Sequence, residues 1–138
     1  MIRVGSRMLT AQRDAFIAAA RGGLIRLCTG KQPKNSDTPP DVGQTLVAFD
    51  IDGATFTNDG VDAVVALAIE EYARAEGRVT HFVVTSALQE PLVDGKVGIR
   101  RDGRVLEEGD MFLNRIDLLP GDKVEVKELV IRFRSEAK

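Results

Sequence analysis

The fold class of this chain is decided by residues 77–134, which read GRVTHFVVTSALQEPLVDGKVGIRRDGRVLEEGDMFLNRIDLLPGDKVEVKELVIRFR. Short stretches that mix apolar and polar residues are separated there by turn residues, as in RRDGRVLEEGD and PGDK. This pattern is typical of antiparallel strands joined by hairpins. The C-terminal part of the chain is therefore predicted to consist of antiparallel strands.

Two details sharpen this prediction. The segment RVTHFVVT carries apolar groups on both faces, which indicates a central strand. In the last strand, Val124 and Val126 share one face, whereas Leu129 and Ile131 have the opposite phase. A slip of one residue exchanges the two faces of a strand. We therefore expect a β-bulge near Lys127-Glu128.

The N-terminal part predicts one short α-helix over residues 9–21, LTAQRDAFIAAAR. Thr10 is a suitable N-cap, the alanines favour a helix, and Gly22-Gly23 would end it. The apolar stripe is narrow, so the helix is expected to lie on a surface rather than cross a core. That stripe consists of Leu9, Phe16, Ile17 and Ala20.

The middle of the chain mixes clear and ambiguous segments. GLIRLCTG and TLVAFDI are predicted strands, separated by a proline-containing loop over residues 30–43. Residues 61–76, VDAVVALAIEEYARAE, favour a helix by propensity. Their setting among strands favours extended chain, and because propensity is a weak prior we predict a strand through Val64–Ile69.

Length and composition limit the class of protein. A chain of 138 residues forms about one domain, predicted here as an arm and helix over 1–23 and a single β domain over 24–138. The net charge of −2 shows no basic excess, so a nucleic-acid partner is not expected. No apolar run reaches the roughly 20 residues that span a bilayer, and the N-terminus lacks a signal-peptide core, so no membrane partner and assembly in a cytoplasm are expected. With Cys28 alone, an internal disulfide is excluded.

The segment FDIDG resembles the first motif of haloacid-dehalogenase-type phosphatases. In that family the first aspartate attacks phosphorus, the second is the acid-base, and magnesium bridges carboxylate and phosphoryl group. Asp50 and Asp52 would take those parts. However, Ala54 replaces the usual threonine, and the parallel sheet of that family needs helices between strands. We therefore favour the interpretation that both aspartates lie near a strand end, where Gly53 turns the chain.

The other candidates for chemistry are weaker. His81 is the only histidine and has Thr80 and Phe82 as local neighbours, so a packed or edge residue of a strand is favoured over a catalyst. Cys28 has no identifiable activating base and is interpreted as a small buried or half-buried side chain rather than a nucleophile. No metal ion or cofactor is expected. The charged residues around the RDGR hairpin fit a polar interface rim better than a catalytic site, and they are Arg100, Arg101, Arg104, Glu107, Glu108 and Asp110.

The order of segments resembles a family of small structural proteins of tailed bacteriophages and prophages. Members begin with an Ala-rich helix ending in Gly, then a strand ending in Thr-Gly, a proline loop and a further strand. Here these correspond to AAARGGLIRLCTG, KQPKNSDTPP and TLVAFDI. The later pieces correspond to GRVTHFVVT, PLVDGKVGI, MFLNRIDLLPGDKVEV and ELVIRF, so the resemblance covers nearly the whole chain.

This resemblance implies a mainly β protein, a compact antiparallel β-sandwich of jelly-roll or Ig-like type with a short N-terminal α-helix. It implies a non-enzymatic virion component, assembled in the host cytoplasm. We expect a capsid decoration (cement) protein that bridges subunits of the major capsid protein and contacts copies of itself; a tail or baseplate component is the alternative. The expected interface residues are Met1, Ile2, Arg3, Phe16, Ile17, Lys31, Pro33, Pro39, Pro40, Arg100 and Arg101.

Overall fold

The computed structural model describes residues 5–32 and 44–133. The predicted helix is present as α1, Ser6–Ala20, but it begins earlier than expected. Gly5 is the N-cap, because its carbonyl already accepts hydrogen bonds from the amides of Met8 and Leu9, so the prediction of Thr10 as N-cap was wrong. The predicted end is confirmed, since Gly22 follows the helix with φ +81°.

The strands account for most of the regular structure. They are β1 Leu24–Cys28, β2 Thr45–Asp50, β3 Thr57–Asn58, β4 Ala63–Tyr72, β5 Gly77–Arg78, β6 His81–Thr85, β7 Pro91–Arg101, β8 Arg104–Glu107, β9 Met111–Leu113, β10 Asp117–Leu118 and β11 Lys123–Arg132. Nine of them form one sheet in the order β2-β1-β6-β7-β9-β11-β4-β3, with β8 paired to β7, and β5 pairs with β10. The predicted mainly β fold with one short N-terminal helix is confirmed.

Strand β7 is long enough to serve both halves of this curled sheet. Its first part, 91–96, pairs with β6, and its second part, 97–99, pairs with β9. The β7–β9 pair is parallel, whereas the other strand pairs among the described residues are antiparallel as expected. On the far side, the amide of Arg74 donates to the carbonyl of Leu46 at 2.8 Å, which joins the end of β4 to β2.

The strand predicted through Val64–Ile69 is confirmed within β4, which pairs with β11 along its length. The bulge is also confirmed, because Val126 and Glu128 of β11 face consecutive residues of β9 and leave Lys127 as the extra residue. Opposite Lys127, Ala68 of β4 has φ +54°. The buried face of β4 changes at Ala68 and that of β11 changes at Lys127, directly opposite. The pairing of β4 with β11 therefore continues without a shift in register. Pairing with β11 thus overrides the local helix propensity.

One hydrophobic core is shared by both halves of the sheet and by the helix. All five residues of β6 are buried, which confirms its central position. Phe16 of α1 is only 7% exposed and packs its ring edge-on against Phe56, with centroids 5.3 Å apart, and at 5.6 Å from Phe133. The helix therefore covers the end of the core, and its aromatic side chain is part of that core.

The connection from β8 to β9 passes directly over β7 at a pair of glycines. A Cβ atom on Gly98 would collide with the carbonyl oxygen of Glu107 and lie 2.8 Å from the amide nitrogen of Gly109. Beside this crossing, the amide of Asp110 donates to the carbonyl of Lys96 at 2.8 Å. The crossing allows β7 to pair with both β8 and β9.

Candidate functional site

The FDIDG segment forms a strand end followed by a turn. Asp50 is the last residue of β2 and lies opposite Leu24 in the antiparallel pair with β1. The Oδ1 atom of Asp52 accepts hydrogen bonds from the amide of Ala54 at 2.7 Å and from the hydroxyl of Thr55 at 3.2 Å. The carboxylate of Asp52 is therefore used to close its own turn, as in other Asx turns.

This arrangement contradicts the architecture that the phosphatase interpretation requires. The strand that carries Asp50 lies in an antiparallel pair, and the chain after it continues through turns into β3 and β4, with no helix. Asp50 and Asp52 share a shallow pocket with Glu70 and Glu71. Within residues 5–32 and 44–133, no group of three or more His, Cys, Asp or Glu side chains is arranged to hold a metal ion.

His81 and Cys28 are buried neighbours on β6 and β1, as the packed-residue interpretation predicted. Burial raises the pKa of the Cys28 thiol, which keeps it protonated. The hydroxyl of Thr80 donates to the carbonyl of Gly30 at 2.6 Å and lies 2.9 Å from Nδ1 of His81. Since the hydroxyl has one hydrogen to give, we assign the proton of the neutral imidazole to Nδ1. Its Nε2 is buried without a partner among the described residues.

The buried imidazole predicts a specific acid sensitivity. Burial lowers the pKa of His81, an effect that the carboxylate of Asp94 partly opposes. A group whose pKa is lower in the folded state stabilises the fold fully above its unfolded pKa, about 6.5. That contribution is lost as the pH falls through the lowered pKa. We expect urea unfolding between pH 7.5 and pH 5 to show a steeper loss of stability for the native protein than for His81→Gln; equal slopes would contradict the assignment.

The structure places the expected interface residues in different settings. Met1, Ile2, Arg3, Pro33, Pro39 and Pro40 lie outside the described residues. Lys31 is exposed, and Ile17 is half-buried against the core. Phe16 is a core residue, so its ring is not available to a partner, and this expectation was wrong. Local sequence patterns did not predict this packing, because the aromatic rings that Phe16 contacts, Phe56 and Phe133, are distant along the chain.

Arg100 and Arg101 brace the β7–β8 hairpin, which we define as residues 100–107. The guanidinium of Arg100 lies over the ring of Phe112, 4.3 Å from its centroid, and donates to Glu128 at 3.3 Å. Nε of Arg101 donates to the carbonyl of Asn114 at 3.1 Å. Cation–π contacts and charge-assisted hydrogen bonds of this kind hold side chains in place. Both arginines fix the β7 side of the hairpin, up to its turn, to β9 and the chain that follows it.

The turn and the β8 side of the hairpin are exposed. Asp102 and Gly103 both have positive φ, +52° and +75°, as a two-residue hairpin turn requires. Every residue of β8 is exposed, including the adjacent apolar side chains of Val105 at 43% and Leu106 at 56%. Periodicity predicted the hairpin but not this apolar pair on its surface. The β7–β8 hairpin is therefore a braced element that presents apolar groups to solvent.

Comparisons with known proteins identify no relative of this chain. Among the described residues, no helix combines the length and apolar character needed to cross a membrane. No protein-family model matches the chain, and neither the curated proteins nor the solved structures contain a significant match.

Proposed function

We propose that the protein is a non-enzymatic structural component of a bacteriophage virion that decorates the capsid and bridges neighbouring subunits of the major capsid protein. The observation that carries the proposal is the β7–β8 hairpin. It combines a fixed β7 side, held by Arg100 and Arg101, with the exposed apolar pair Val105 and Leu106 on its β8 side. The order of segments along the chain, which resembles small phage structural proteins, supports the same function.

The hairpin suits a protein partner for an energetic reason. Burying a large apolar side chain completely is worth about 1.5–3 kcal/mol, and Val105 and Leu106 are half exposed in the free protein. An element that is already held in one conformation loses little further entropy when it binds. The hairpin therefore contributes a modest binding free energy per copy, which suits a protein present in many copies on a lattice.

Stabilisation of the shell would follow by linkage. A protein that binds the assembled shell more tightly than separate subunits shifts the equilibrium toward the assembly. Contacts that exist only where two subunits meet have this property. The hairpin needs no catalytic group to act in this way, and contact alone is the mechanism.

The direct test changes the apolar pair and measures particles. We expect Leu106→Glu, alone or with Val105→Asp, to reduce the amount of protein that sediments with purified particles about tenfold or more, because a charge would be buried in the contact. Particles carrying these variants should release their genome at a lower temperature. Leu88→Glu is the matched control, since Leu88 is 81% exposed in the turn between β6 and β7, away from the hairpin.

The outcomes separate the alternatives. Full occupancy by Leu106→Glu, with unfolding unchanged from the native protein, would exclude the hairpin as the contact. Immunogold labelling of particles gives the location: label distributed over the shell supports a capsid protein. Label confined to the tail or baseplate would overturn the capsid proposal in favour of the tail or baseplate alternative.

A further inference from the structure

A second surface, distinct from the apolar pair, collects arginines from three parts of the chain. A cleft of about 200 Å³ is lined by Arg78, Arg101 and Arg115, with Asp117 as its one acidic residue. The strands β5 and β10 bring Arg78 and Asp117 opposite each other, and the end of β7 supplies Arg101. Ile99 and Ile116 complete its lining, and we call this site the arginine cleft. Its side chains carry three positive charges and one negative charge, in a protein whose net charge is −2.

The guanidinium groups have unused donors. Each arginine carries five N–H groups in a planar fork. Among the residues that the structure describes, the contacts found take one nitrogen from each fork: Arg78 Nε lies 3.7 Å from Asp117, Arg101 Nε donates to Asn114, and Arg115 Nη1 lies 3.4 Å from Asp122. The remaining donors fit a carboxylate, which arginine binds through paired hydrogen bonds.

The surroundings of the arginine cleft restrict the ligand. It lies next to a larger pocket of about 630 Å³, and Arg78, Arg115 and Asp117 line both. The larger pocket adds apolar surface from Leu118 and Leu119, and its acidic residues are Glu76, Asp117 and Asp122. A polyanion such as nucleic acid needs an extended basic track, whereas the arginines of the cleft form one short cluster. A single anionic group next to an apolar side chain matches the charge and the apolar wall together.

We infer that the arginine cleft binds a carboxylate of a protein partner, namely an acidic side chain flanked by an apolar residue. The carboxylate lies between the guanidinium groups of Arg78 and Arg115, and the neighbouring apolar side chain contacts Leu119. This goes beyond the proposed function and holds whichever protein the partner is, because it concerns the chemistry of the bound segment rather than its source.

The test uses the full-length protein and capped synthetic pentapeptides, Gly-Leu-Glu-Leu-Gly and the same sequence with Gln in place of Glu. Titrations are followed by the amide signals of Gly77, Ile99 and Ile116 in ¹H–¹⁵N NMR spectra. We expect saturable shifts with the Glu peptide. The Gln peptide should bind at least about tenfold more weakly, because the charge-assisted hydrogen bonds are lost. Inorganic phosphate and a single-stranded oligonucleotide are titrated in parallel.

Three variants locate the effect. Arg78→Gln and Arg115→Gln should each weaken binding of the Glu peptide about tenfold. Arg7→Gln, an exposed arginine on α1 that lines neither pocket, is the matched control and should bind like the native protein. Equal binding of the Glu and Gln peptides, or unchanged binding by both cleft variants, would overturn the inference. Saturation of the same signals by phosphate as readily as by the Glu peptide, or tighter binding of the oligonucleotide, would replace the protein partner with another anion.

This experiment can fail independently of the particle assay. The titrations need no virion and leave Val105 and Leu106 unchanged. Loss of peptide binding with normal particle occupancy would therefore reject the arginine cleft alone.

Discussion

Replacement of Gly98 with alanine is expected to lower the free energy of unfolding by about 3 kcal/mol, because overpacking against backbone cannot be relieved by moving a side chain. The added Cβ would collide with the carbonyl oxygen of Glu107 and lie 2.7 Å from the carbonyl carbon of Glu108 and 2.8 Å from the amide nitrogen of Gly109. The chain that crosses β7 would have to move, and the β7–β8 hairpin with it. Urea denaturation followed by circular dichroism measures the change.

The control for this variant is Gly5→Ala. A Cβ on Gly5 meets no atom within 4 Å, and Gly5 lies at φ −71°, which alanine adopts freely. We expect a loss of no more than about 1 kcal/mol, because alanine is a poorer N-cap than glycine but meets no steric conflict there. If Gly98→Ala were as stable as Gly5→Ala, the close crossing of β7 by the chain between β8 and β9 would be refuted.

Phe16→Ala is expected to destabilise the protein by about 3–4 kcal/mol, the usual cost of removing a buried phenylalanine side chain. Phe16 is 7% exposed and contacts the rings of Phe56 and Phe133, so its removal leaves a cavity under α1. Thermal and urea unfolding measure the loss. The same experiment distinguishes a core residue from an interface residue, because a residue that serves only a partner would leave the isolated protein as stable as before.

Met8→Ala is the matched control on the same helix. Met8 is exposed, so its truncation should change stability by less than about 0.5 kcal/mol. A loss of stability in Met8→Ala as large as that in Phe16→Ala would mean that helix formation, and not ring packing, governs the result. Equal stability of Phe16→Ala and the native protein would contradict the position of its ring in the core.

Features that depend on local alternation were predictable from the sequence. The reversal of phase between Val126 and Leu129 identified the bulge at Lys127, because a strand has a period of two and cannot bury both sets otherwise. Asp102-Gly103 marked the hairpin turn in the same way. The strand through Val64–Ile69 followed from its context, although its own residues favoured a helix.

Features that depend on distant partners were not predictable. The contact of Phe16 with Phe56 and Phe133 joins the helix to two distant positions, and nothing local announces it. The arginine cleft forms because the two-residue strands β5 and β10 pair, and strands this short have no periodicity to read. For the same reason the sequence pointed to Arg100 as an interface residue, whereas its partners Phe112 and Glu128 make it part of the protein's own framework.

The two halves of the curled sheet are joined differently on its two sides. On one side the single continuous strand β7 belongs to both halves, so separating them there requires bending β7 or breaking its pairing. On the far side, hydrogen bonding such as that between Arg74 and Leu46 joins the halves without a shared strand. Openings that cost less than global unfolding begin where fewer interactions must break. The two halves should therefore open locally on the far side while β7 stays paired. We expect the amide hydrogen of Arg74 to exchange before those of β6.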